Sequence, residues 1–212
     1  MTSGRFITFE GGEGTGKSTQ VNRLVDFLRS RGIEALATRE PGGPPGAEAI
    51  RALWLHTPPE PWDPLTEVLL VMAARREHLV KTIWPALRRG VWVISDRFAD
   101  STLVYQGAGL GLDDDLIRRL YRDVAGDSAP DLTILLDAPV DVGLARMSAR
   151  RGPDDRYQQQ DVVFHETLRA AYLRLALAEP TRFRIVEASG DADSVAQAVR
   201  TILESDVRWT MA

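Results

Sequence analysis

The residues with the plainest chemistry are Gly11-Gly12-Glu13-Gly14-Thr15-Gly16-Lys17-Ser18, which satisfy the pattern G-x-x-x-x-G-K-[ST]. Glycines at this density let the backbone curl until successive N–H groups converge on phosphate oxygens. The Lys17 ammonium is a compact charge able to reach β- and γ-phosphates, and the Ser18 hydroxyl is a ligand for Mg²⁺. Of the 26 basic residues, 24 are Arg and two are Lys, Lys17 and Lys81. In so arginine-biased a chain, a retained lysine marks a place where an ammonium is specifically needed. The loop speaks for binding of a nucleoside triphosphate and is silent about where the phosphate goes.

Competing chemistries fail on particular residues. From Gly12 and Gly14, the dinucleotide pattern G-x-G-x-x-G requires glycine where Lys17 stands. A guanine-reading N-K-x-D is excluded because the one asparagine is Asn22, and the D-x-x-G string from Asp123 to Gly126 reads as a helix C-cap. His165-Glu166 begins a zinc-protease string that ends wrongly at Arg169, and with no cysteine there are no thiolate metal sites. The formal net charge of −4 argues against a nucleic-acid polymer as partner. The first residues, MTSGRFITFEGG, show no signal-peptide series and no apolar run long enough to span a bilayer follows, so the expectation is a cytoplasmic protein.

The phosphate loop needs a strand before it and a helix after it. Arg5 to Glu10 is β-branched and aromatic and reads as a buried strand, and Val21, Leu24, Val25 and Leu28 recur with helical spacing until Gly32. Further strands are expected at Glu34 to Thr38, Val91 to Ser95, Leu132 to Leu136 and Phe183 to Val186. Helices are expected at Ala47 to Leu55, Val140 to Ala149, Asp161 to Ala178 and Ser194 to Ser205. Leu65 to Arg89 reads as one long helix with a kink at Pro85, and a helix from Phe98 to Gln106 is broken at Gly107 to Gly111 before resuming over Leu112 to Val124. Apolar strands alternating with helices predict an α/β fold with a parallel sheet covered on both faces. The 212 residues, 44% hydrophobic and without internal repeats or a long linker, fit one domain, 1–212.

Two further strings go beyond a generic phosphate loop: Arg39-Glu40-Pro41-Gly42-Gly43, and Asp96-Arg97-Phe98 continuing to Ser101 and Tyr105-Gln106-Gly107. With Phe9-Glu10-Gly11, the late Asp155-Arg156 string and the helix holding Tyr172, they resemble the thymidylate kinase family, in its bacterial form, over nearly the whole chain. The resemblance implies a P-loop NTPase three-layer fold, a five-stranded parallel sheet flanked by helices, and a mobile lid at about 146–160. It also implies a homodimer, and phosphorylation of dTMP to dTDP by ATP and Mg²⁺, a step in dTTP synthesis.

Carried over by position, Arg39, Arg51, Arg75 and Arg97 match family residues around the acceptor 5′-phosphate, which a guanidinium grips bidentately. Without the resemblance Arg51 and Arg75 read equally well as a solvated helix face; for Arg39 and Arg97, each adjoining the carboxyl end of a strand, the site reading outweighs that of a surface arginine. Asp96, at a strand end, matches a carboxylate that holds Mg²⁺ or its water, or it caps the next helix. Glu13 resembles an acidic position that places the acceptor or the waters of the metal, and it reads equally as an exposed loop glutamate. Ser101, Tyr105 and Gln106 match acceptor-binding positions, Tyr105 as the barrier to a ribose 2′-hydroxyl. A phosphate monoester is already mostly a dianion at neutral pH, its second pKa being about 6, so no general base is required. Positive charge on the transferring group is required, and in this family an arginine of the loop or of the lid supplies it. Gly12, Glu13, Gly14 and Thr15 include no base, which leaves Arg146, Arg150, Arg151 and Arg156 of the lid, or a lid that is only a solvated basic loop.

The chain departs from the family at Val71, where a phenylalanine commonly stacks on thymine, and at Gln158, where the lid string D-R-x-E has its glutamate. Two other readings stay open: a kinase for another nucleoside monophosphate, and a non-catalytic ATP-binding switch protein. Lys17→Ala is expected to nearly abolish phosphoryl transfer with the circular dichroism spectrum unchanged, and Lys17→Arg to be poor as well, because a planar fork does not replace an ammonium. Near wild-type turnover in the alanine variant would defeat the assignment.

Overall fold

The computed structural model describes residues 4–55, 62–149, 157 and 160–205. β1 (Phe6–Glu10) is buried along its whole length, as its β-branched and aromatic composition requires. It is the middle of five parallel strands, with β2 (Ala35–Arg39), β3 (Trp92–Asp96), β4 (Leu132–Asp137) and β5 (Phe183–Glu187) arranged β2-β3-β1-β4-β5. Ile7 lies opposite Ile94 on one side and Leu132 on the other. The chain thus leaves β1 at the centre of the sheet, where strand order reverses and the carboxyl ends of the strands frame a crevice.

Helices cover both faces. Ile7 and Phe9 point to one face and pack with Val21, Leu24 and Leu28 of α1 (Lys17–Ser30) and with Val195, Val199 and Leu203 of α9 (Ala192–Ser205). By strand alternation Phe6, Thr8 and Glu10 point to the other face. There Phe6 meets Leu79, Ile83 and Phe98, while Leu135 and Phe183 meet Leu168 and Tyr172 of α8 (Val162–Ala178). The helices α2 (Pro45–Leu55) and α3 (Pro64–His78) pack on each other beside this face.

Two expected helix irregularities lie elsewhere than the sequence pattern put them. The long pattern from Leu65 bends through a π-helical turn, Leu79–Ile83, in which Trp84 N–H donates to Leu79 O, five residues back. Pro85 follows in α4 (Trp84–Arg88), which continues directly from the π turn, and a proline inside a helix crowds the carbonyl four residues back, here that of Lys81 in the π turn. The bend therefore precedes the proline. After α5 (Ala99–Thr102), a second π-helical turn, Leu103–Gly109, runs through Gly107 and Gly109. The break comes at Gly111, before α6 (Asp114–Ala125). A π turn widens the helix and rotates the side chains that follow, which here brings Tyr105 and Gln106 inward, both buried. The C-cap read at Gly126 is present, its N–H donating to Arg122 O.

The phosphate loop is held from behind by α7 (Val140–Ser148). A Cβ on Gly14, whose φ is +68°, would lie 1.9 Å from Gly143 O, and a Cβ on Gly143 would lie 2.4 Å from Glu13 O. Two glycines are thus required face to face for loop and helix to touch. Of the expected lid, Arg146 lies on α7 and Tyr157 is described, while Arg150, Arg151 and Arg156 lie outside the described residues. Alanine inside a helix is favoured over glycine by about 1 kcal/mol, so Gly143→Ala should leave the melting temperature nearly unchanged. Its Cβ must push the loop out, and ATP affinity measured by titration calorimetry should fall about tenfold or more, the loss of about 1.4 kcal/mol. Wild-type affinity would show that loop and helix are not coupled there.

Candidate active site

A cavity of about 240 Å³ opens at the carboxyl ends of β1, β2 and β3. Its lining includes Glu13, Gly14, Gly16, Lys17, Ser18, Arg39, Arg51, Val71, Arg75, Asp96, Arg97, Ser101, Tyr105 and Gln106. Residues read as site positions from distant parts of the chain therefore converge on one space. Gly11, Gly12 and Thr15 face a smaller hollow behind the loop, beside His165, Arg169 and Tyr172.

At the loop end, Lys17 Nζ donates to Gly12 O at 2.6 Å and Gly11 O at 3.1 Å. Burial, with Arg97 nearby, lowers its pKa to about 8, so it remains mostly protonated at neutral pH. Ser18 Oγ donates to Asp96 Oδ2 at 2.5 Å. Asp96 does not cap α5, whose N-cap position is Phe98, so the helix-cap reading fails and the hydroxyl–carboxylate pair remains. No cluster of three metal-ligating side chains occurs among the described residues. A Mg²⁺ bound to phosphates needs fewer, and this pair fits it.

Arg97 stands at the middle. Its backbone has φ 68°, a left-handed conformation rare for a residue with a Cβ. Nη1 donates to Gly11 O at 3.1 Å, Ser101 Oγ at 3.2 Å and Tyr172 Oη at 3.0 Å, and Nη2 to Glu13 Oε1 at 2.7 Å and Tyr105 Oη at 2.9 Å. Tyr105 Oη itself donates to Glu13 Oε1 at 2.7 Å. Burial works to raise the Glu13 carboxyl, but Arg97, Lys17 and the Tyr105 hydroxyl outweigh it and hold the pKa at about 2. Glu13 is therefore an ionised, fully engaged group and not an exposed loop residue.

The other arginines divide. Arg39 is half exposed and pairs with Glu48 at 3.0 Å, and Arg51 donates to Pro41 O at 2.7 Å; both line the cavity. Arg75 lines the same cavity from a deeper position. It is 1% exposed, donates to Glu40 Oε2 at 2.8 Å, Thr102 Oγ1 at 2.9 Å and Phe98 O at 3.1 Å, and sits one helical turn beyond Val71 on the same face of α3. A solvated helix face does not describe it. Arg146 donates to Ala188 O, Ser189 O and Gly190 O at 2.5 to 2.7 Å, holding the turn between β5 and α9.

Several residues of the site have no motif to announce them. Besides Val71, two rings line the cavity: Trp54 and Tyr157, with centroids 5.9 Å apart, and Tyr157 lies 4.9 Å from Tyr105 and stacks on Phe164. Glu10 is wholly buried and accepts from Ser101 Oγ at 2.6 Å, Phe98 N–H at 2.8 Å and Tyr172 Oη at 3.1 Å. Its signals in the sequence were the Phe9-Glu10-Gly11 string before the loop and a carboxylate at the end of a buried strand. The buried Glu67 accepts from Gln106 and Tyr157.

Likeness to known proteins decides the family. The sequence model of the family described as Thymidylate kinase matches residues 9–199. The chain belongs to the thymidylate kinase family. It is 49% identical to the thymidylate kinase of Caulobacter vibrioides over 203 residues, 96% of this chain and 97% of that one. It is 48% identical to that of Alkalilimnicola ehrlichii over 99% of this chain and 97% of the relative. The crystal structure of thymidylate kinase from Ehrlichia chaffeensis superposes with a TM-score of 0.77 at 34% identity, covering 95% of this chain and 99% of that one. Family membership and the five-stranded parallel sheet expected from the resemblance both hold.

Burial and Asp100 push Glu10 up from 4.5 to about 7, against the pull of Ser101, Arg97 and the Phe98 N–H. Between these two values the folded chain holds a proton that the unfolded chain has released, so this contribution to stability is complete below about pH 4.5 and is lost as pH rises through 7. Unfolding of wild type and Glu10→Gln by urea from pH 4.5 to 8 should show wild type losing ground steadily to the variant. A pH-independent difference would contradict it.

Proposed function

We propose that this chain phosphorylates dTMP to dTDP, taking the γ-phosphoryl group of ATP with Mg²⁺, in the cytoplasm. The observation that carries the reading is the two-ended cavity: loop, Lys17 and Ser18 at one end, Trp54, Val71, Gln106 and Tyr157 at the other, with Arg97 between. The loop N–H groups and Lys17 bind the β- and γ-phosphates, while Arg39, Arg51, Arg75 and Arg97, all on the cavity, orient the acceptor phosphate for in-line attack. Ser18 and Asp96 would hold Mg²⁺ or its water, which supplies positive charge at the phosphates. Glu13, ionised and paired with Arg97 at 2.7 Å, helps place the acceptor or the waters of the metal. Tyr105, which lines the cavity, excludes a 2′-hydroxyl, and Ser101 keeps Arg97 in place through its Oγ. The acceptor phosphate is its own nucleophile, so no proton need be removed. Charge on the transferring group comes from Arg150, Arg151 or Arg156 of a lid at about 146–160; Arg146, engaged by three carbonyls, is the weaker candidate for that role and the better one for shaping the nucleotide side.

The whole chain acts as one kinase domain and as a homodimer. Leu53 on α2, Leu65 and Leu69 on α3, and Val80 in the π turn after it are 37–52% exposed, an apolar surface suited to a second copy. No described helix is long and apolar enough to cross a membrane. The test is turnover with dTMP, dUMP, dCMP, dGMP and dAMP as acceptors. Preference for dTMP, with no ATP turnover unless a monophosphate is present, is the expected result. Preference for another base would make it a different nucleoside monophosphate kinase, and acceptor-independent behaviour would make it a switch protein. Among Arg150→Ala, Arg151→Ala and Arg156→Ala, at least one should lower kcat by ~10³ or more, as loss of an arginine finger does. Losses confined to KM in all three would mean ground-state binding instead.

A further inference from the structure

At the apolar end of the cavity, Gln106 Nε2 donates to Glu67 Oε1 at 2.7 Å and to Tyr157 Oη at 3.1 Å, and Tyr157 Oη donates to the same Glu67 oxygen. All three side chains are buried. An amide turned over here would put its carbonyl oxygen against the Glu67 oxygen, acceptor on acceptor, in a medium where such a mismatch is costly. The nitrogen end is thereby fixed toward Glu67, and the carbonyl Oε1 is the end that can serve a ligand in the cavity that Gln106 lines. A carbonyl at that place asks for a ring N–H. Thymine and uracil offer N3–H; cytosine offers a bare N3 acceptor and is refused.

We infer that Glu67, which the apolar helix pattern of α3 hides in the sequence, is a positioning residue that selects the acceptor base by fixing the orientation of the Gln106 amide. The inference rests on dTMP being the acceptor. It assigns base discrimination to a side chain behind the cavity wall and not to the stacking surface, and it accounts for a buried carboxylate that the phosphoryl transfer does not use.

The test uses the full-length enzyme and reads a ratio, kcat/KM for dTMP over that for dCMP. Glu67→Gln keeps the shape but can donate as well as accept, so the Gln106 amide can turn and accept a cytosine. The ratio should fall at least tenfold, with dUMP following dTMP, and the melting temperature should stay within a few degrees. In a Gln106→Leu background, adding Glu67→Gln should leave the ratio unmoved, because the amide through which Glu67 acts is gone. A purely structural role would lower all acceptors alike and leave the ratio unchanged in Glu67→Gln, which would overturn the inference; so would a ratio that still shifts in the Gln106→Leu background. Should Glu67→Gln not fold, Glu67→Ala is read in the same way. A wild-type enzyme that does not use dTMP would instead defeat the functional reading beneath it.

Discussion

The guanidinium of Arg97 donates at once to the phosphate loop through Gly11 O and Glu13, to α5 and the π turn after it through Ser101 and Tyr105, and to α8 through Tyr172. These segments come from opposite ends of the chain and meet above the end of β1 because the sheet order places β1 in the middle. Only a planar, delocalised group with donors in several directions can serve so many acceptors without moving. Hydrogen bonds to a charged group contribute about 1.5–3 kcal/mol each, ample to hold the left-handed backbone of Arg97, a strain of about 1–3 kcal/mol. The strained residue persists because its surroundings over-determine it.

The charges around this centre sort themselves by partner. Glu13 faces Arg97 and Lys17 and stays ionised, whereas Glu10, more deeply buried and repelled by Asp100, rises to about 7. Two carboxylates three residues apart thus take different protonation behaviour from environment alone. Lys17 is pulled down to about 8 by burial and the neighbouring arginine, and an approaching triphosphate restores the partner that its ammonium lacks in so dry a place. The fully buried pair of Arg75 and Glu40, joined by His78 Nδ1 at 3.0 Å from Glu40 Oε1, ties β2 to α3 and so fixes the wall on which Val71 sits.

Much of the fold could be read from the sequence because the strands are short apolar runs and the loop glycines sit where a strand must turn into a helix. The five strands emerged within a residue or two of their expected places. The two π turns could not be read as such: Pro85 and Gly107 signal an irregularity nearby, but neither says which hydrogen-bond period the helix adopts there. At the site, residues belonging to a dense motif, such as Lys17, Ser18 and Arg97, were legible, since the chemistry dictates type and spacing together. The burial of Arg75 was not legible, because an arginine on a helix carries no sign of depth. Only the structure places it beside Val71 and Phe98. Trp54, Tyr157 and Glu67 were hidden for a similar reason. An aromatic or acidic residue within an apolar pattern looks like core or surface until its partners, far away in sequence, are known.

The central claim is that one forked guanidinium holds the phosphate loop and the acceptor side in register. Steady-state kinetics of Arg97→Lys test it most directly, because lysine keeps the charge but cannot donate in a plane to five acceptors. The account predicts a fall in kcat/KM for dTMP of about 10²-fold or more, the scale that misplacement of reacting groups produces, while ATP still binds. A lysine variant with kcat/KM within a few-fold of wild type would contradict it, and would reduce Arg97 to a source of positive charge.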